Sequence, residues 1–160
     1  MNTKLYYHFT GDTLRNGDPL PAIDEWLEFT GPLVPCVSGL HFSEHPFDAL
    51  QYSCGKWLHR VRVGKTMIPH GDPVDKFVSN RRKIVATIDA TDVMRRFARR
   101  VALDVLPLWK DAPDVVKRYL ETGDESIRAA ARAAARDAEI KKYRGWFAEM
   151  VSVDYPVTIP

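Results

Sequence analysis

The sequence predicts an α+β fold, with a small mixed or antiparallel sheet within residues 4–90 followed by a helical C-terminal layer. Three observations predict it. Short aromatic or alternating segments recur before residue 90. The apolar period then lengthens from two to the helical 3.6 after Thr91. Finally, an alanine-rich run begins near Asp124, and alanine is the strongest helix former. A length of 160 residues suits one domain, 1–160, with a strand-rich part over 1–90 and a helical part over 91–160.

The elements follow in order. Residues 4–10, KLYYHFT, are rich in aromatics and read as a strand ended by Gly11-Asp12. Residues 12–36 carry Gly17, Pro19, Pro21, Gly31 and Pro32 and read mostly as loop. Within that loop, residues 22–29 form a short helix with Trp26 and Leu27 inward. Residues 39–43 give a second strand and 44–52 a helix, with Ser43 as its N-cap and Pro46 in its first turn. Residues 57–63 alternate, placing Trp57, His59, Val61 and Val63 on one face and Leu58, Arg60 and Arg62 on the other. Pro69, Gly71, Asp72 and Pro73 make residues 66–76 a loop, and 83–89 the fourth strand. Thr91 caps a helix running to about Leu106, where Pro107 interrupts it. Further helices cover 113–121 and 124–150, with Gly145 ending or weakening the last, and an extended tail follows. Burial of Val93, Phe97, Val101, Val116, Tyr119 and Leu120 would lay the helices on one sheet face.

Composition excludes little. A net charge of +2 carries no global argument for nucleic acid or membrane. Cys36 and Cys54 are too few for a disulfide-built secreted domain, although one bridge between them stays open. The start lacks a signal-peptide core and no run is long enough to span a bilayer, so the cytoplasm is expected, the host's if the chain is phage-encoded.

Several motifs fail as chemistry. His41 and His45 stand four apart, but across a strand end and a helix start. CxxC and HExxH are absent, so no metal is expected. Gly64-Lys65-Thr66 lacks the earlier glycine of a P-loop and leads into no helix. Cys54 beside a histidine could be a nucleophile, yet a free cysteine is ordinarily a small apolar residue. Arg95, Arg96, Arg99 and Arg100 cluster on one predicted helix, and Arg128, Arg132 and Arg136 stripe another. Either set could contact phosphates, or simply face solvent.

One constellation remains. Tyr7-His8-Phe9-Thr10 ends the first strand. Ser38-Gly39-Leu40-His41-Phe42-Ser43 forms the second, and the next helix ends in Tyr52. A strand-end histidine can donate to ligand hydroxyls, a hydroxyl beside it can hold an amide, and an aromatic ring can stack on a flat one. Such a set suits a nucleotide or nicotinamide pocket. The plain alternative is that these side chains are satisfied core or surface residues.

The order of strand with His-x-Thr, loop, Gly-Leu-His-Phe-Ser and a helix ending in Tyr resembles the ADP-ribosyltransferase fold, in its PARP-like and DarT-like branches. The resemblance covers about residues 4–63 and implies NAD as cofactor. By it His8 binds the ribose, Thr10 lies beside the nicotinamide amide, His41 replaces the usual tyrosine, and Tyr52 stacks on the nicotinamide. Tyr7 and Ser43 complete the binding set. The glutamate of the third motif has no evident counterpart. Asp89 is the acid of strand 83–89, while Glu149 precedes Val151-Ser152-Val153 and is taken with His8 as catalytic. The segment from Cys36 to Tyr52, CVSGLHFSEHPFDALQY, also resembles a set of uncharacterised phage and bacterial proteins, which implies no activity. Three functions therefore stand side by side. They are an ADP-ribosyltransferase-like enzyme using NAD, a non-catalytic phage accessory or anti-defence binding protein, and a nucleic-acid binder acting through the arginine-rich helices.

Overall fold

The computed structural model describes residues 4–154. The chain divides after Asp92 into two compact units, a β-rich one and a helical one. The fold is α+β, and the sheets are antiparallel throughout. Among the described residues no helix is long and apolar enough to cross a membrane.

The first unit contains β1 (Tyr6–Thr10), β2 (Trp26–Glu28), β3 (Leu40–Phe42), α1 (Pro46–Gln51), β4 (Trp57–Val63), β5 (Met67–Gly71), β6 (Val74–Ser79) and β7 (Arg81–Asp89). One sheet runs β1-β4-β7-β2 and the other β3-β6-β5. Reciprocal main-chain bonds of 2.9 Å between Tyr7 and Ser43 stitch β1 to the second sheet. Alternation along β4 buries His59, Val61 and Val63 and exposes Arg60 and Arg62, as the period predicts. The β4–β7 register shifts between Arg60 and Val61, which face Ala86 and Ile84. This bulge keeps Ile84 and Arg82 on the same face as Val61 and Val63. The core there is Tyr6, Phe42, Val61, Val63 and Ile84, with Phe77 against it. Tyr6 meets the Phe42 ring edge-on at 4.8 Å, and Phe42 stacks on Phe77 at 5.6 Å. Burying an aliphatic side chain such as Val61 contributes about 1.5–3 kcal/mol.

Three local expectations are corrected. Residues 22–29 form no helix: Trp26–Glu28 is an edge strand on β7, and Asp24 has φ +67°. Cross-strand chemistry favours that pairing, since Arg81 and Lys83 lie over the Trp26 ring and Arg81 pairs with Glu28 at 3.0 Å. Trp26 is consequently exposed, not inward. Residues 66–76 are no plain loop, because β5 and β6 make a hairpin around Asp72-Pro73. Pro69 is accommodated since β5 is the edge strand. Helix α1 is capped not by Ser43, which is buried in the bridge to Tyr7, but by His45, whose Nδ1 accepts from Phe47 N–H at 3.2 Å. Both cysteines are free.

The helical unit holds α2 (Thr91–Val105), which starts at the boundary, α3 (Asp114–Thr122) and α4 (Arg128–Asp154). Gly123, at φ +70°, ends α3 with its N–H on the Tyr119 carbonyl at 2.8 Å. The Arg99 guanidinium occupies the space a side chain at 123 would take. A cation is favourable at this helix C-terminus. Helix α4 runs through Gly145 and on to Asp154, so residues 151–154 are helical and not extended. The rest of the predicted tail lies outside the described residues. Val116 is buried as predicted, whereas Val93, Phe97 and Val101 are exposed. Packing among the described residues of this unit is concentrated at α3 against α4.

Candidate functional site

A cleft of about 650 Å³ opens in the β-rich unit. Such a volume suits a small-molecule ligand. Its wall includes the ends of β1 and β3, loop residues 13–18, Cys36 to Gly39 and the C-terminus of α1. Tyr7, His8, Thr10, His41, Ser43 and Tyr52, picked from separate segments of the sequence, all line it.

The polar floor starts with strand pairing. His8 on β1 faces His59 on β4, and their rings lie 6.4 Å apart and nearly parallel. His59 is fully buried, with Nε2 2.8 Å from Thr10 Oγ1 and Nδ1 2.8 Å from Thr87 Oγ1. Thr10 already donates its hydroxyl proton to the Gly11 carbonyl at 2.9 Å. It must therefore accept from His59, which places the imidazole proton on Nε2 and leaves Nδ1 to accept from Thr87. Burial, reinforced by the charge of Arg82, pushes the His59 imidazole down to about 4. His8 is held well below its usual range, first by burial and then by Arg82, His59 and His41. Both rings are neutral at pH 7.

Arg82 comes from β7, where alternation turns it inward beside Ile84. It is 6% exposed, and burial lowers its guanidinium to about 10. Nη1 donates to the His41 carbonyl. No carboxylate among the described residues pairs with it.

His41 is fixed from its other side. Cys36, at φ +67°, points its N–H at His41 Nε2, 3.0 Å away. Burial and then the charges of Lys76 and Arg82 lower the His41 imidazole, opposed by its bond to the Gly39 backbone. Gly39 has φ +103°, and a side chain there would collide with Val78 and Leu33, so the turn into β3 requires glycine. Tyr52 ends α1 and donates its hydroxyl to Asp75, while Lys76 Nζ lies 3.9 Å from its ring centre. The bond to Asp75 is the main cause raising the phenol above its ordinary value. Cys36 Sγ, also on the wall, is 3.4 Å from His70 Nε2.

Glu149 is on α4 in the helical unit. Asp89, at the end of β7, is not among the residues lining the cleft and pairs with Lys56 at 3.4 Å. The carboxylates that do line the cleft are Asp18 and Glu28. Glu28 is paired with Arg81, and Asp18 accepts from the Asn16 amide at 2.6 Å. Arg95, Arg96, Arg99 and Arg100 all belong to α2. His59 and Arg82 are residues at the cleft that the sequence reading did not single out. Alternation along residues 57–63 already turned His59 inward, whereas Arg82 fell outside the predicted strand 83–89.

The family described as Domain of unknown function (DUF7666) matches residues 5–96. The chain belongs to this family. The matched segment contains every strand among the described residues and every residue of the cleft wall, while α3 and α4 fall outside it. No curated protein and no solved structure matches the chain.

Proposed function

We propose that the cleft is a nucleotide pocket and that its ligand is NAD, bound in the manner of an ADP-ribosyltransferase-like site. The observation that carries this reading is the convergence of Tyr7, His8, Thr10, His41, Ser43 and Tyr52 on one cleft. In this reading the neutral His8 exchanges hydrogen bonds with ribose hydroxyls. Thr10, anchored by His59, sits beside the nicotinamide amide. Tyr52, held by Asp75, supplies a ring for stacking.

Transfer chemistry needs an anion beside the sugar, because departure of nicotinamide leaves positive charge on the ribose. Within the β-rich unit Glu28 can take that role, since it lines the cleft. Its ion pair with Arg81 favours a second reading, in which the protein binds the nucleotide without cleaving it. Nicotinamide release from NAD, measured with the purified protein and its His8→Ala variant, separates the two. Release that depends on His8 supports the enzyme. Binding without release supports the non-catalytic protein. Absence of both overturns the nucleotide pocket.

A further inference from the structure

A guanidinium carries five N–H donors and stays charged at any physiological pH. Taking it out of water is costly unless an anion or a full set of acceptors receives it, and buried arginines are accordingly paired. Arg82 departs from that rule. It is 6% exposed, its hydrogen bond goes to the neutral His41 carbonyl, and no carboxylate among the described residues meets it.

The surroundings add no compensation. His8, His41 and His59 all feel its charge, and each is driven toward the neutral form. Arg15 and Lys76 bring two further cations to the cleft wall. The wall carboxylates do not offset Arg82, since Glu28 is taken by Arg81 and Asp18 is bonded to Asn16. A buried positive charge, flanked by neutral imidazoles and open to a cleft, is an arrangement completed by an anionic ligand.

We infer that Arg82 anchors a phosphoryl or pyrophosphoryl group, and that the cleft of this chain selects phosphorylated ligands over their uncharged nucleoside counterparts. The planar fork of the guanidinium matches two oxygens of such a group, which a lysine in its place would not do. This deepens the nucleotide reading and rests on the same cleft.

Inorganic pyrophosphate is the probe, because it carries the proposed group and none of the rest of NAD. Titration calorimetry compares the wild-type chain with Arg82→Lys, Arg82→Met and, as a surface-charge control, Lys65→Gln. Pyrophosphate is expected to bind the wild type and Lys65→Gln alike. Truncating one partner of a buried charged pair commonly weakens binding about thirtyfold or more, and Arg82→Met is expected to do so. Arg82→Lys is expected to weaken it as well, through loss of the fork. Should Arg82→Met fail to fold, Arg82→Lys decides the comparison.

Imidazole NMR supplies a readout that a purely structural role would not move. Pyrophosphate is expected to raise the titration midpoints of His8, His41 and His59 in the wild type, since a bound anion offsets the Arg82 charge. No binding to the wild type, equal binding to the Arg82 variants, or equal loss in Lys65→Gln would each overturn the inference. Binding of NAD without pyrophosphate binding would sink the phosphate anchor and spare the nucleotide pocket. Pyrophosphate binding without NAD binding would do the reverse.

Discussion

Acidification should destabilise the β-rich unit through His59. Its imidazole titrates near 6.5 when unfolded and at about 4 in the fold. Above pH 6.5 neither state holds the proton, and His59 adds no pH dependence. Between 6.5 and 4 the unfolded chain takes the proton and the fold refuses it, so stability falls as pH falls. Below about 4 both states are protonated and the loss levels off. At about 1.36 kcal/mol per pH unit, the loss is about 2 kcal/mol at pH 5 and about 3 kcal/mol at pH 4. His8 and His41 shift in the same direction and add to the total. The His59 share is isolated by His59→Gln, whose amide does not titrate and offers one donor toward Thr10 and one acceptor toward Thr87. Urea unfolding followed at the amides of β4 reports this unit by itself. With a slope of about 1–3 kcal/mol per molar urea, the wild-type midpoint should drop about 1 M more than that of the variant between pH 7.5 and 5. Parallel profiles for the two proteins would refute the buried neutral imidazole.

Two further substitutions test the packing. Gly145→Ala should stabilise α4 by about 1 kcal/mol, because the helix runs through that position and, among the described residues, no neighbouring atom lies within 4 Å of a new Cβ. Slower amide exchange around residue 145 is the expected sign, and unchanged exchange would contradict a continuous helix. Gly55→Ala should destabilise the β-rich unit by roughly 1–3 kcal/mol. Its Cβ would lie 2.6 Å from the Thr10 carbonyl and 2.7 Å from Gly11 N, both backbone atoms unable to yield. A lower unfolding midpoint is expected, with weaker ligand binding because Thr10 moves, and an unchanged midpoint would show the contact to be misplaced.

Strand β4 was legible because its alternation is unbroken over WLHRVRV, and the same rule already turned His59 inward. Arg82 lay just outside the predicted strand 83–89. An arginine reads as a solvent residue until the strands beside it are known, and only the bulge opposite Arg60 and Val61 settles its face. Strand β2 was misread because its stability comes from partners on β7 distant in sequence, and no local period announces it. The β5–β6 hairpin hid behind prolines that an edge strand and its turn tolerate. Ser43 was a sound N-cap by residue type, yet the helix starts at Pro46 and the N-cap position falls on His45. At the site, the residue types were readable on each segment, whereas their convergence depended on antiparallel pairing of β1 with β4 and on the Tyr7–Ser43 bridge. Glu149 had been selected for the order of motifs alone. Its helix belongs to the helical unit.

The measurement that most directly tests the central claim is NAD binding and nicotinamide release by the full chain, beside His8→Ala. NAD binding is expected to weaken in the variant, with any release lost in parallel. NAD that neither binds nor is cleaved, or that binds wild type and variant equally, would contradict a nucleotide pocket built on His8.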